Sequence, residues 1–278
     1  MSFSLVPGFA QRYPKDDDSW LDDVLIESCC TSLEEALSAQ ARGADRIELC
    51  TDLSDGGLTP PRDLIREAVQ ALAIPVNVLI RPSTREYCAG GNASQTHATL
   101  GAVRGRGPCA AWEGSSEARR FGKHCQSASR VEEFPFEDFV YDEADLAQMI
   151  ADIGYCKSVG AAGIVVGALT PEGAIDRGAM QRLIAAAHPL PVTFHRAFDV
   201  CTQDPYFALD QVIALGCARL LTSGQAPTAW EGRGVLALLV RRANGRLIVM
   251  PGCGVTPENL PALAAYTHAR EFHGTRLP

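Results

Sequence analysis

The chain has 278 residues, 46% of them hydrophobic, and a net charge of −8, enough for one large domain with a sizeable core. The acidic balance and the lack of a basic stripe argue against nucleic acid as a partner. No apolar run approaches the roughly 20 residues of a membrane helix, and the first twenty residues lack the basic and apolar regions of a secretory signal.

Residues 1–23 read as a flexible N-terminal tail, and 24–278 as a single domain in which apolar runs alternate with helix-like segments. Strands are expected at 24–30 (VLIESCC), 44–50 (ADRIELC), 75–82 (PVNVLIRP), 162–169 (AGIVVGAL), 191–199 (PVTFHRAFD), 217–224 (CARLLTSG), 246–255 (RLIVMPGCGV) and 269–274 (AREFHG). Helices are expected between them at 31–43, 60–72, 143–160, 176–189, 204–216, 228–245 and 256–268. Several open on Thr, Asp or Pro and close on Gly, as capping favours. Eight strands in this alternation predict an α/β fold, a parallel TIM (β/α)8 barrel. The eighth helix is missing, so the outer apolar faces of the last and first strands are expected to be left uncovered, at roughly 25 cal/mol per Å². Between strand three and the next helix, the Gly-, Ser- and Arg-rich stretch at about 88–133 is expected to be a disordered insertion.

Function in such barrels resides at the C-terminal ends of the strands, and the two-residue strand period sorts the polar side chains onto one face. Glu27, Glu48, Arg81, His195, Asp199 and His273 are thereby the candidate catalytic residues of one lumen, with Arg81 and a protonated His195 as the expected partners of the two carboxylates. Arg196 is expected to point outward to the helix layer. A purely structural ionic layer remains the alternative. Cys29 and Cys50 fall on the lumen face and Cys30 on the other. Together they are the candidate soft ligands for Cu(I), although a strand cysteine is more often a small buried hydrophobe. The 250–260 stretch (MPGCGVTPENL), through Gly252 and Gly254, offers backbone amides to an anion near a helix N-terminus, with Ser223 beside it. The ten cysteines are scattered instead of densely spaced, which suits a reducing cytoplasmic, or also nuclear, compartment.

The runs IESCC, GADRIELC, GGLTP, IRP, VTFHRAFD, LTSGQ, GCGV with PENL, and EFHG together resemble the copper homeostasis protein CutC family, over nearly all of 24–278 outside the insertion. The resemblance implies a TIM barrel, a cytoplasmic or nuclear location, homo-oligomers, and copper handling with Cu(I) bound through cysteines. It maps a shared polar cluster onto Glu27, Cys29, Cys30, Glu48, Cys50, Arg81, His195, Arg196, Asp199, Ser223 and His273. Two functions stay open: a Cu(I)-binding homeostasis protein, and a barrel enzyme acting on a small anionic or phosphorylated ligand. In the second, Glu27 or Glu48 is the base, His195 the acid, and Arg81 the anion clamp.

Overall fold

In the computed structural model, residues 24–82, 136–275 and 277 are described, and they belong to one compact unit. Residues 1–23 and the expected insertion at 88–133 lie outside them. The strands are β1 (Leu25–Cys30), β2 (Arg46–Leu49), β3 (Val76–Leu79), β4 (Gly163–Val166), β5 (Val192–Phe194), β6 (Arg219–Thr222), β7 (Ile248–Pro251) and β8 (Glu271–Gly274). The helices are α1 (Leu33–Arg42), α2 (Arg62–Ala71), α3 (Glu143–Val159), α4 (Arg177–Ala187), α5 (Ala197–Val200), α6 (Pro205–Ala214), α7 (Arg233–Ala243) and α8 (Leu260–Thr267).

Local chemistry sets these boundaries. Ser32 caps α1 by accepting from the Glu35 amide, and Gly43 ends it at φ 100°, a conformation that glycine adopts without a Cβ penalty. Asp142 and Asp145 form a reciprocal capping box on α3. The strands β2, β3 and β4 are buried along their whole length, as expected of parallel strands with helices outside and packed side chains within.

All seven ladders are parallel, in the order β7-β6-β5-β4-β3-β2-β1-β8. The two end strands approach each other, because a Cβ on Gly252 just after β7 would lie 3.5 Å from the Cβ of His273. The sheet is therefore a nearly closed barrel. Lumen glycines make room for its polar contents: a Cβ on Gly167 would sit 2.5 Å from His195 Nδ1.

Two expectations are corrected. The outer faces of β1 and β8 are not left wet: Ile26 and Phe272 are both fully buried in the main apolar core. Among the described residues no helix follows β8, but the chain folds back, with Leu277 Cγ 3.0 Å from the position of a Cβ on Gly274. The fifth strand also stops at Phe194 instead of running to 199. It turns into the single helical turn α5, where Asp199 N–H bonds Arg196 C=O at 2.8 Å. Strand alternation therefore does not decide where Arg196 and Asp199 point.

Candidate functional site

Register assembles the lumen. Glu27 is paired with Arg46 on β2 and His273 on β8, Cys29 with Glu48, and Glu48 with Asn77 on β3. All are buried. Arg46 Nε donates to Glu27, Asn77 Nδ2 donates to Glu27 Oε2 at 3.0 Å, and His273 Nδ1 lies 3.0 Å from Glu27 Oε1. Arg46 reaches on to Glu271 at 2.7 Å, which also accepts from Arg219 Nε at 2.7 Å. Buried charges are tolerable when each is paired and hydrogen-bonded in this way. The network from Arg219 through Glu271 and Arg46 to Glu27 is thus the structural ionic layer of the barrel.

Above it sits a less satisfied group. Glu48 Oε2 is buried with no hydrogen-bond partner, 3.7 Å from His273 Nδ1. Burial pushes the Glu48 carboxyl up to about 7, with the Glu27 charge adding to the rise and His273 opposing it. Burial acts on Glu27 in the same sense, but the hydrogen bond from His273 and the Arg46 cation outweigh it and hold Glu27 at about 2. Burial lowers His273, whereas the Glu48 and Glu27 carboxylates more than compensate, so it is raised. Of the two lumen histidines, His273 is therefore the one whose charged form the carboxylates favour.

That role was expected of His195, and the correction has a plain cause. His195 Nδ1 accepts from the Ala197 amide at 3.2 Å, its ring meets Phe139 edge-on at 5.1 Å, and its Nε2 is buried without a partner. Burial, with nearby Arg81, drives it down to about 3. His195 is neutral, with the remaining proton on Nε2. Arg81 lies beside it, 4.9 Å over Phe139, donating to Gly57 C=O at 3.1 Å and pairing with Asp138 at 3.3 Å.

Asp199 is not a lumen acid. Its carboxylate accepts from the Thr222 hydroxyl, from the Ser223 amide at 3.0 Å and from the Gln225 amide at 3.2 Å, and it pairs with Arg196 at 3.0 Å. Ser223, named beside the expected anion site at Gly252 and Gly254, instead lends its amide, in the turn after β6, to this internal carboxylate. Arg196 consequently anchors α5 and does not point outward alone. Gly252 also has a packing reason, because a Cβ there would lie 2.4 Å from Leu221 Cδ1. Gly254, at φ 70°, shapes the turn that follows.

Of the cysteines, Cys29 and Cys50 are brought together, Sγ to Sγ 3.5 Å, within a small lumen cluster with Leu79 and Val165. The hydrogen bond to Cys50, with burial and the Glu48 charge, raises the Cys29 thiol. Cys30 is not brought to them: it belongs to the outer core, 3.9 Å from Ser28 C=O, and burial raises it to about 11. The seven described cysteines are all free thiols. One donor atom from each of Cys29, Glu48 and His273 lies within 4.8 Å of the others. Sequence reasoning missed Arg46 and Asn77 as members of this centre, although both stand on the polar face of their strands beside Glu48 and Arg81.

The CutC family model matches residues 24–97 and 135–277. A "family protein CutC" from Parabacteroides distasonis is 40% identical over 250 residues, covering 90% of this chain and 81% of the relative. The human "Copper homeostasis protein cutC homolog" is 36% identical over 262 residues, covering 94% and 77%. Among solved structures, the putative copper homeostasis protein CutC from Streptococcus agalactiae superposes with TM-score 0.69 at 30% identity, covering 92% of this chain and all of that one.

Proposed function

The chain belongs to the CutC family, and from that premise we propose that it takes part in copper homeostasis by binding Cu(I) between Cys29 and Cys50. The observation that carries this reading is the 3.5 Å approach of two buried, reduced thiols at the ends of neighbouring strands. Soft thiolates suit Cu(I), and the surrounding Leu79 and Val165 keep competing water away. Cys30, on the outer core face, is not a ligand in this scheme. Binding must displace the thiol protons, and the raised Cys29 makes Cu(I) uptake fall as pH drops.

The free thiols support a reducing cytoplasmic or nuclear setting. No helix among the described residues is long and apolar enough to cross a membrane. Exposed Phe207, Trp230 and Tyr266 support a homo-oligomer, which sedimentation equilibrium would test. The ligand assignment is tested by Cu(I) competition with a chromophoric chelator under reducing conditions. Cys29→Ala and Cys50→Ala should each lose the site, and unchanged affinity in the Cys29→Ala/Cys30→Ala/Cys50→Ala protein refutes it.

A second reading, an enzyme acting on a small anionic ligand, draws on the buried, unpartnered Glu48 Oε2 and His195 Nε2. Glu48, raised to about 7, suits general base work near neutrality, and neutral His195 acts as a hydrogen-bond donor, with Arg81 beside it. A metabolite screen that finds no compound shifting the melting temperature of the wild type but not of Glu48→Gln or Arg81→Ala removes that reading.

A further inference from the structure

The donor set beside the thiol pair is the wrong one for Cu(I) alone. A carboxylate oxygen is a hard ligand that Cu(I) does not select, yet Glu48 carries its Oε2 into the centre with a side chain only 6% exposed and without a hydrogen bond. A buried carboxylate oxygen that faces His273 Nδ1 at 3.7 Å and has no hydrogen bond costs free energy unless something occupies it. Around it stand a thiol, Cys29, and an imidazole, His273, with donor atoms all within 4.8 Å of one another.

We propose that Cys29, Glu48 and His273 form a three-ligand site for a divalent cation of the zinc class, distinct from the Cu(I) pair but sharing Cys29 with it. One sulfur, one nitrogen and one oxygen donor are the ligand types that zinc takes, and three protein ligands with a fourth position left to water or a ligand oxygen is the open arrangement of reactive zinc centres. Bond lengths of those kinds place ligands about 3.4–3.7 Å apart across a tetrahedron, so side-chain rotations that draw the three inward by about an ångström complete it. One thiolate and one carboxylate balance the double positive charge in a buried site.

The surroundings fit the same purpose. Metal-bound histidines donate their other ring N–H to a carboxylate that fixes the ring. His273 Nδ1 meets Glu27 at 3.0 Å, and Glu27 is itself held by Arg46 and by Asn77 at 3.0 Å. With Nδ1–H on Glu27, Nε2 is the ring nitrogen left with a lone pair, and it must turn toward Glu48, whose Oε2 lies 3.7 Å from Nδ1. Glu27 is in this scheme a positioning residue. The site goes beyond the Cu(I) reading, and the shared Cys29 means that the two ions exclude one another.

The test uses the full chain, reduced and stripped of metal, titrated with Co2+ as the optical probe and with Zn2+ against a chromophoric chelator. One Co2+ per chain is expected, with a thiolate-to-metal charge-transfer band. Cys50→Ala keeps the band, whereas Cys29→Ala, Glu48→Gln and His273→Gln each lose it. Glu27→Gln weakens Zn2+ binding by about 10–100-fold. Retained Cu(I) binding by Glu48→Gln and His273→Gln shows that those variants are folded. The inference is overturned if the wild type takes up neither ion, if the band survives in both Glu48→Gln and His273→Gln, or if it vanishes in Cys50→Ala. Loss of Cu(I) but not Co2+ in Cys50→Ala supports both sites. Cu(I) unaffected by Cys50→Ala, with the Co2+ pattern intact, refutes the copper reading alone.

Discussion

Replacing Glu48 by Gln should change how the stability of the metal-free protein depends on pH. The folded carboxyl titrates at about 7 against its ordinary 4.5, so between those values the native state binds a proton that the unfolded chain has already lost. Wild-type stability must then fall as pH rises through this window. At 1.36 kcal/mol per pH unit the gap corresponds to about 3 kcal/mol. Glu27 does not interfere, because its value near 2 gives stability that is present above 4.5 and lost only as pH falls toward 2. His273 is raised, so its contribution is complete below 6.5 and is lost as pH climbs through its folded value. The Glu48 charge leads that rise, ahead of the Glu27 hydrogen bond, so the variant loses part of it, and the His273 difference adds to the Glu48 difference in the same direction. Urea unfolding of both proteins from pH 4.5 to 8 should show the wild type losing about 3 kcal/mol relative to Glu48→Gln. A difference that stays flat across the range refutes the reasoning, as does a Glu48 carboxyl carbon resonance that titrates in the ordinary carboxylate range.

Arg46→Ala leaves Glu27 and Glu271 short of their shared cation and should destabilise the fold by about 3–5 kcal/mol, measured by urea denaturation. Gly167→Ala drives a methyl against His195 Nδ1 at 2.5 Å and should cost about 1–3 kcal/mol; an unchanged midpoint contradicts the close packing. Asp199→Asn removes the charge accepted by the Ser223 and Gln225 amides and should destabilise by about 1.5–3 kcal/mol, with hydrogen exchange rising first at those amides.

The barrel was legible because its signals are local and repeated: apolar runs bounded by caps such as Ser32 and Gly43 give all eight strands, and the two-residue period places Glu27, Glu48 and His273 in one lumen. Periodicity holds only while the strand continues, so Asp199, beyond the end of β5 at Phe194, was misplaced in the lumen. The choice between His195 and His273 as the cation was also beyond the sequence. It turns on which ring meets a carboxylate across the β1–β8 ladder, and that is a long-range contact between residues 27 and 273. Likewise, no helical pattern announces that Leu277 packs against Gly274 at the end of β8. Ser223 was named only beside the expected anion site at Gly252 and Gly254, and the binding of Asp199 by its amide was not foreseen.

Copper K-edge X-ray absorption on the Cu(I)-loaded, reduced protein tests the central claim most directly. The account predicts one Cu(I) per chain with a first shell of two sulfur atoms, lost in Cys29→Ala and in Cys50→Ala and retained in Glu48→Gln. A first shell dominated by nitrogen or oxygen, or a sulfur shell that persists in Cys50→Ala, would contradict it.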